Sequence, residues 1–206
     1  MRITKIQKQK KENRYSIFID EEFAFGIYKD TVLKFGLRTK DVLSEEKINE
    51  IKNYDEYHAG KKIALNFLSY RQRSEKEVRD KLNSKNISGS NIENVMNTLK
   101  ELNYINDEQF AKLFLESKLI KKPQGKRLIQ MKLAGKGINK EIIESVLCEL
   151  YDEETELEKC KELLCKYIKK VKSTNETEVK RKCYQYLLSR GFENEFVKIS
   201  IMSYFD

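Results

Sequence analysis

The chain has 206 residues, 36% of them charged, with 41 Lys and Arg against 33 Asp and Glu and a formal net charge of +8. That length suits one or two compact domains or a short array of helical units. No run approaches the roughly eighteen apolar residues of a membrane span, and Met1-Arg2-Ile3-Thr4-Lys5 lacks the apolar core of a signal peptide, so a cytoplasmic protein without membrane contact is expected.

Three segments open the chain with alternating apolar and β-branched residues, Ile3 to Gln9, Tyr15 to Ile19 and Phe23 to Ile27, separated by polar turns. They predict a small antiparallel sheet, too short to stand alone, that packs on the helices after it. Asp30 precedes a short helix over Thr31 to Phe35, stopped by Gly36, and Ser44-Glu45-Glu46-Lys47 opens another with Ile48 and Ile51 on its apolar face.

From about Tyr54 onward everything reads as helix. Ala64, Leu65 and Leu68 belong to a first helix, Ser74-Glu75-Lys76-Glu77 has the form of a capping box for a second, and Ser88 is placed to cap a third. Asn106-Asp107-Glu108-Gln109 is again a capping box; Phe110, Ala111, Leu113 and Phe114 follow it, and Pro123 stands near the start of the next helix. The last set begins after Asp152-Glu153-Glu154-Thr155-Glu156, read as a solvated acidic face at a helix start, and resumes near Asn175-x-x-Glu178.

A repeated signature organises these helices. Leu82-x-x-Lys85-Asn86-Ile87, Leu133-x-x-Lys136-Gly137-Ile138 and Leu187-x-x-Arg190-Gly191-Phe192 lie about fifty residues apart. Each has an apolar residue four before the leucine (Val78, Ile129, Cys183) and others five and nine after the Ile or Phe, which means helix, tight turn, helix. Asn86, Gly137 and Gly191 occupy the turn, where a left-handed backbone ends the helix. The expected fold is mainly α: three tandem three-helix repeats in an elongated, curved array, preceded by the small β element with short helices. The expected boundaries are 1–53 for the N-terminal extension and 54–104, 105–151 and 152–206 for the repeats.

Catalytic chemistry is thinly supplied. His58 is the only histidine and reads as a partly exposed helix residue, while Cys148, Cys160, Cys165 and Cys183 have no metal-ligand spacing and read as buried small hydrophobes. No phosphate-cradling glycine loop is present, Gly135-Lys136-Gly137 being the repeat's turn. Neither a catalytic site, a metal site nor a cofactor is expected.

Basic residues, in contrast, recur at equivalent places. Arg71 and Arg73, then Lys121 and Lys122, then Lys169, Lys170 and Lys172 follow the first helices; Lys76, Arg127 and Arg181 share one aligned position in the second, and Lys85, Lys136 and Arg190 its end. Lys126 and Lys132 add to the middle set, and residues 111–150 carry nine basic against four acidic residues while 151–206 carry eleven of each. Cations at helix C-termini are stabilising without any ligand, but a repeated stripe also suits an extended polyanion such as a nucleic-acid strand, and the middle repeat is expected to dominate. Tyr70, Tyr104, Tyr184 and Tyr186 could stack on bases, although packing suits most of them better. With no base-reading motif, binding would be independent of sequence.

The runs Ala64-Leu65-x-x-Leu68 to Arg73-Ser74-Glu75-x-Glu77-Val78-x-x-Lys81-Leu82 and Leu102-Asn103-Tyr104-Ile105-Asn106-Asp107-Glu108-Gln109-Phe110-Ala111, set in three tandem three-helix units, resemble the bacterial RecX regulatory family from about residue 58 onward. Ile17 to Phe25, Lys34-Phe35-Gly36-Leu37 and Leu43-Ser44-Glu45-Glu46 are similar to the extension found on some members. The resemblance implies a modulator of RecA, the recombinase that polymerises on single-stranded DNA. Such a protein would bind RecA and its filament, inhibit ATP hydrolysis, co-protease activity and strand exchange, and so regulate DNA recombination, DNA repair and the SOS response. It would act as a monomer and contact single-stranded DNA and, secondarily, double-stranded DNA. The alternative is a helical scaffold that contacts proteins alone, its lysines serving solubility.

Overall fold

The computed structural model describes residues 1–10, 13–172 and 175–205, with Lys121 described only in its backbone. Contacts divide the chain into two compact units, one holding residues 1–71 and 78–104, the other 72–77 and 105 onward.

The first unit begins with a three-stranded antiparallel sheet in the order β1 (Ile3–Lys8), β2 (Arg14–Ile19), β3 (Glu22–Tyr28). Asp20 and Glu21 form a two-residue hairpin turn with φ of 49° and 73°, the left-handed pair that matches strand twist. Asp20 accepts from the Arg2 amide and Thr4 Oγ1 from the Glu21 amide, which holds two non-glycine residues in that conformation. One sheet face contributes Ile3, Ile17, Ile19, Phe25 and Ile27 to a core closed by Leu37, Ile48 and Ile51.

Helix α1 (Lys29–Lys34) follows β3, and α2 (Glu45–Leu68) runs 24 residues, about 36 Å, from the Ser44 cap, whose side chain accepts from the Lys47 amide. The expected pair of helices on either side of residue 53 is thus one continuous helix, because neither glycine turn nor proline interrupts 45–68. Buried Asp55 on α2 accepts from the Tyr28 amide at 2.7 Å and Thr31 Oγ1 at 2.5 Å, pinning the sheet's last strand to the helix. The rest of the unit is α3 (Glu75–Asn83) from Val78 onward and α4 (Gly89–Glu101), with Val78, Leu82, Ile92, Val95, Met96 and Leu99 buried. Ser88 occupies the N-cap position of α4, but its side chain makes no cap bond; the hydroxyl donates to Glu56 of α2 instead.

The second unit contains two three-helix sets. The first is α5 (Asp107–Lys121), α6 (Lys126–Gly135) and α7 (Lys140–Leu150) around Phe110, Leu115, Ile129, Leu133, Ile143 and Leu147. The second is α8 (Glu153–Ile168), α9 (Glu176–Ser189) and α10 (Asn194–Phe205) around Cys160, Leu164, Cys183, Leu187, Phe192 and Val197. Asn106, Asn139, Asp152 and Asn175 cap α5, α7, α8 and α9 with side-chain bonds. Pro123 lies before the Gly125 N-cap of α6 and so outside the helix rather than in its first turn.

All three signature turns close in the same way. The Ile or Phe amide donates to the signature leucine carbonyl, Ile87 to Leu82, Ile138 to Leu133 and Phe192 to Leu187. The residue before it, at φ 57°, 81° and 83° for Asn86, Gly137 and Gly191, donates to Asn83, Ala134 and Leu188. These are the paired bonds of a Schellman motif, and they explain why Asn or Gly stands at each turn. Helix α4 ends alike: Asn103, at φ 57°, donates to Lys100 and Tyr104 donates to Leu99.

Candidate nucleic-acid interface

Within the second unit each signature turn is also a docking point for the preceding repeat. Ser74, eight residues before Leu82, donates its hydroxyl to the Lys136 carbonyl at 2.8 Å. Gly125, eight before Leu133, donates its amide to the Arg190 carbonyl at 3.0 Å. A first-helix carboxylate of the later repeat caps each of these helix starts, Asp107 accepting from the Glu75 amide and Glu156 from the Lys126 amide. Negative charge at a helix N-terminus is favourable, which accounts for acids at both positions.

Glu156 therefore differs from its sequence reading as part of a solvated acidic face: it is fully buried, and one of its carboxylate oxygens has no hydrogen-bond partner. Burial pushes its pKa above the ordinary carboxylate value, opposed by the Lys126 amide and by the Lys126 ammonium 3.8 Å away. Beside it, the buried Tyr151 hydroxyl donates to the Gln124 carbonyl at 2.9 Å.

These junctions absorb several of the basic residues singled out from the sequence. Lys136 forms an ion pair with Glu77 at 2.7 Å, with both side chains mostly covered, and Lys76 reaches the Gly135 carbonyl at 3.3 Å. Lys126 lies beside Glu156, and Lys132 donates to Gln124 Oε1 at 2.9 Å. Burial, with the Lys118 and Arg190 charges nearby, draws the Lys132 ammonium below the usual lysine range. Arg71 is exposed and Arg73 half-buried, while Arg127, Lys169 and Arg181 are exposed; the Lys121 side chain lies outside the described residues.

A different subset converges. Lys122 and Pro123 line a groove of about 330 Å³ with Leu163, Lys166 and Tyr167 of α8, Lys170 just after it, Tyr186 of α9 and its C-cap Arg190. The Tyr167 and Tyr186 rings stack with centroids 3.8 Å apart and planes 6° apart, and the Arg190 guanidinium lies over Tyr186, 5.0 Å from its centroid. Among the described residues no carboxylate lines the groove, although Lys166 donates to Glu162 beyond its rim. It thus gathers Lys122, Lys170 and Arg190 and adds Lys166 and Tyr167, which the sequence reading missed. The signal was present in Lys166-Tyr167-Ile168-Lys169-Lys170, an aromatic set among lysines.

The two junctions differ at one aligned position. Five residues before the signature leucine, the first has Glu77 and the second Leu128. Glu77 neutralises Lys136, whereas the equivalent Arg190 has no ion pair among the described residues, and its turn packs on Leu128. The charge that is consumed at one junction is left over the groove at the other.

Two further readings change. Cys160 and Cys183 are buried as expected, but Cys148 and Cys165 are exposed. Tyr70 and Tyr104 are also exposed, and the Tyr184 hydroxyl donates to Asn194. Among the described residues no group of three or more His, Cys, Asp or Glu could hold a metal ion, and no helix is long and apolar enough to cross a membrane.

Four family models match along the chain: the regulatory protein RecX N-terminal domain at residues 1–44, and the first, second and third RecX three-helix domains at 61–99, 106–147 and 154–198. The regulatory protein RecX of Listeria monocytogenes serotype 4b (strain CLIP80459) is 35% identical over 201 residues, covering 97% of this chain and 74% of that protein. The chain belongs to the RecX family. The RecX of Leuconostoc mesenteroides is 36% identical, covering 97% of this chain and 74% of that protein, and that of Clostridium botulinum (strain Eklund 17B) is 32% identical, covering 96% and 93%. A RecX crystal structure superposes with a TM-score of 0.71 at 25% identity over 97% of this chain and 98% of that one. RecX from Lactobacillus salivarius gives 0.66 at 31% identity over 73% and 97%. The mainly helical RecX architecture, three three-helix domains after a small antiparallel sheet, is the one expected from the sequence.

Proposed function

We propose that this chain binds RecA and the RecA filament on single-stranded DNA and inhibits its ATP hydrolysis, co-protease activity and strand exchange, so regulating DNA recombination, DNA repair and the SOS response. The observation that carries this reading is the match of all four RecX parts, in order, to a family whose members are named regulatory proteins. The protein acts in the cytoplasm by occupying a surface, without turnover or cofactor. The groove of Lys122, Lys166, Lys170 and Arg190 supplies non-sequence-specific phosphate contacts to single-stranded and, more weakly, double-stranded DNA, with Arg127, Lys169 and Arg181 as further exposed cations. Arg71, Arg73, Lys76 and Lys121 extend the proposed filament-facing set. Lys126, Lys132 and Lys136 serve chiefly to hold the repeats, the position of their bonds supporting that role.

The test is single-stranded-DNA-dependent ATP hydrolysis by the cognate RecA while this protein is titrated from far below stoichiometry. Inhibition at substoichiometric protein supports the reading; no effect at excess, together with no binding to the filament, removes RecA as partner. The internal engagement of the middle-repeat lysines favours one other reading, a scaffold that contacts proteins without DNA. DNA affinity that falls steeply with added salt would rule that scaffold out, because displaced counterions report phosphate contacts.

A further inference from the structure

The groove pairs four cations with a two-ring stack, and the stack has a direction. Tyr186 stacks on Tyr167 at 3.8 Å, a spacing that leaves no room for a group between the rings, and the Arg190 guanidinium lies over Tyr186 5.0 Å from its centroid. Tyr167 packs partly against the core of α8 to α10, has no second ring or cation over it among the described residues, and lines the groove together with Lys166 and Lys170. A flat π face at the end of a fixed stack, ringed by ammonium groups, has the chemistry that recognises a nucleobase with its flanking phosphates. Cations alone would take duplex and single strand alike, but the faces of duplex bases are already covered by their neighbours.

We propose that Tyr167 stacks one unpaired base while Lys122, Lys166 and Lys170 hold the adjoining phosphates, making this groove selective for single-stranded nucleic acid over duplex. The proposal rests on the strand contact assigned above and deepens it by naming the recognised group. Tyr186 is a positioning residue, fixing the plane on which Tyr167 rests, and Arg190, which lies over Tyr186, also faces the groove as a fourth cation. The groove's volume of about 330 Å³ is that of a small-ligand pocket, enough for a single base rather than a run of them.

The test measures anisotropy of three labelled ligands with the full chain at one salt concentration and no RecA: oligothymidylate, an abasic strand with the same phosphates, and a blunt duplex. Wild-type protein is expected to bind oligothymidylate about tenfold more tightly than the abasic strand. Tyr167→Leu, which keeps an apolar side chain against Tyr186, should bring oligothymidylate down to the abasic level and leave the other two ligands unchanged. Replacing Lys122 and Lys170 together by Gln should weaken all three. Equal affinity of the wild type for oligothymidylate and abasic strand would overturn the proposal without any variant having to fold. A Tyr167→Leu loss as large on duplex as on single strand, in protein of unchanged circular dichroism, would overturn it equally. RecA inhibition that survives either negative result would leave the regulatory reading intact, and base-dependent binding without RecA inhibition would leave only the stacking site.

Discussion

Three glycine-to-alanine substitutions separate the forces that hold the signature turns. Gly36 has φ +58° and open space where a Cβ would lie, so Gly36→Ala costs only the left-handed backbone, about 1 to 2 kcal/mol. Gly125 is the reverse case: its φ of −68° suits alanine, but a Cβ there would sit 2.2 Å from the Gly191 carbonyl oxygen. Backbone cannot swing aside as a side chain does. Overpacking of about 1 to 3 kcal/mol and loss of about 1 kcal/mol for the Gly125 amide bond to Arg190 bring Gly125→Ala to roughly 3 kcal/mol. Gly191 combines both, with φ +83° and a Cβ 2.3 Å from Leu128 Cβ and 2.5 Å from its amide nitrogen, so roughly 4 kcal/mol is expected. Urea unfolding followed by far-ultraviolet circular dichroism measures the losses, and hydrogen exchange at α6 and α9 locates the last two in the second unit. A Gly125→Ala protein that loses no more stability than Gly36→Ala would refute the close backbone approach on which the second junction is built.

The junction charges make further predictions. Because burial raises the Glu156 pKa, the folded protein holds that proton more tightly than the unfolded chain; the stability that Glu156 contributes is fullest below the ordinary value of 4.5 and declines as pH rises through and above it. Glu156→Gln, whose amide oxygen can still accept from Lys126, should flatten that decline, and an unchanged pH profile from urea titrations at pH 4 to 7 would contradict it. Glu77→Gln should cost about 1 kcal/mol of stability through the mostly covered Lys136 pair with little change in DNA affinity, whereas Arg190→Gln should weaken DNA binding; paired melting and anisotropy measurements would expose the reverse pattern. Cys148 and Cys165 should react with a thiol reagent in the native protein, while Cys160, its thiol pushed up to about 11 by burial, and Cys183 should react only on unfolding, a difference read by mass spectrometry of the labelled peptides.

Local rules made the helices legible. The signature turns were visible because Asn86, Gly137 and Gly191 must adopt a backbone that few residues tolerate, and the caps because Asn106 and Asn175 carry their acceptors at fixed offsets. What local reading could not supply was the partner of each charge. Ser88 has the chemistry of a cap, yet Glu56, thirty-two residues earlier, takes its hydroxyl, and Glu156 looks like one more surface acid until α6 is placed over it. Counting charge by segment weighted the middle repeat, because a sum cannot tell a lysine held by a carboxylate from one facing solvent. Tyr167 escaped for the related reason that its significance comes from Tyr186, nineteen residues away in sequence and 3.8 Å away in space.

A repeat protein must spend some of its polar residues on joining its copies, and only what remains can meet a ligand. Here the two junctions of the second unit solve the same docking problem with opposite side chains. Glu77 closes the first by neutralising Lys136, whose ammonium also lies over Phe110 and Phe114, so basic and aromatic groups are used internally. Leu128 closes the second by packing against the Gly191 turn, which stabilises by contact and leaves Arg190 its charge. The Arg190 guanidinium then lies on Tyr186, Tyr186 on Tyr167, and Lys122, Lys166 and Lys170 line the groove beside that stack. One aligned position, acid in one repeat and aliphatic in the next, thus separates a junction that is purely structural from one with surface to offer. The reciprocal exchange states the argument most sharply: Leu128→Glu should pair with Arg190 and lower single-strand affinity without altering Lys122, Lys166 or Lys170. Unchanged affinity in a Leu128→Glu protein of native circular dichroism would mean that Arg190 takes no part in holding the strand.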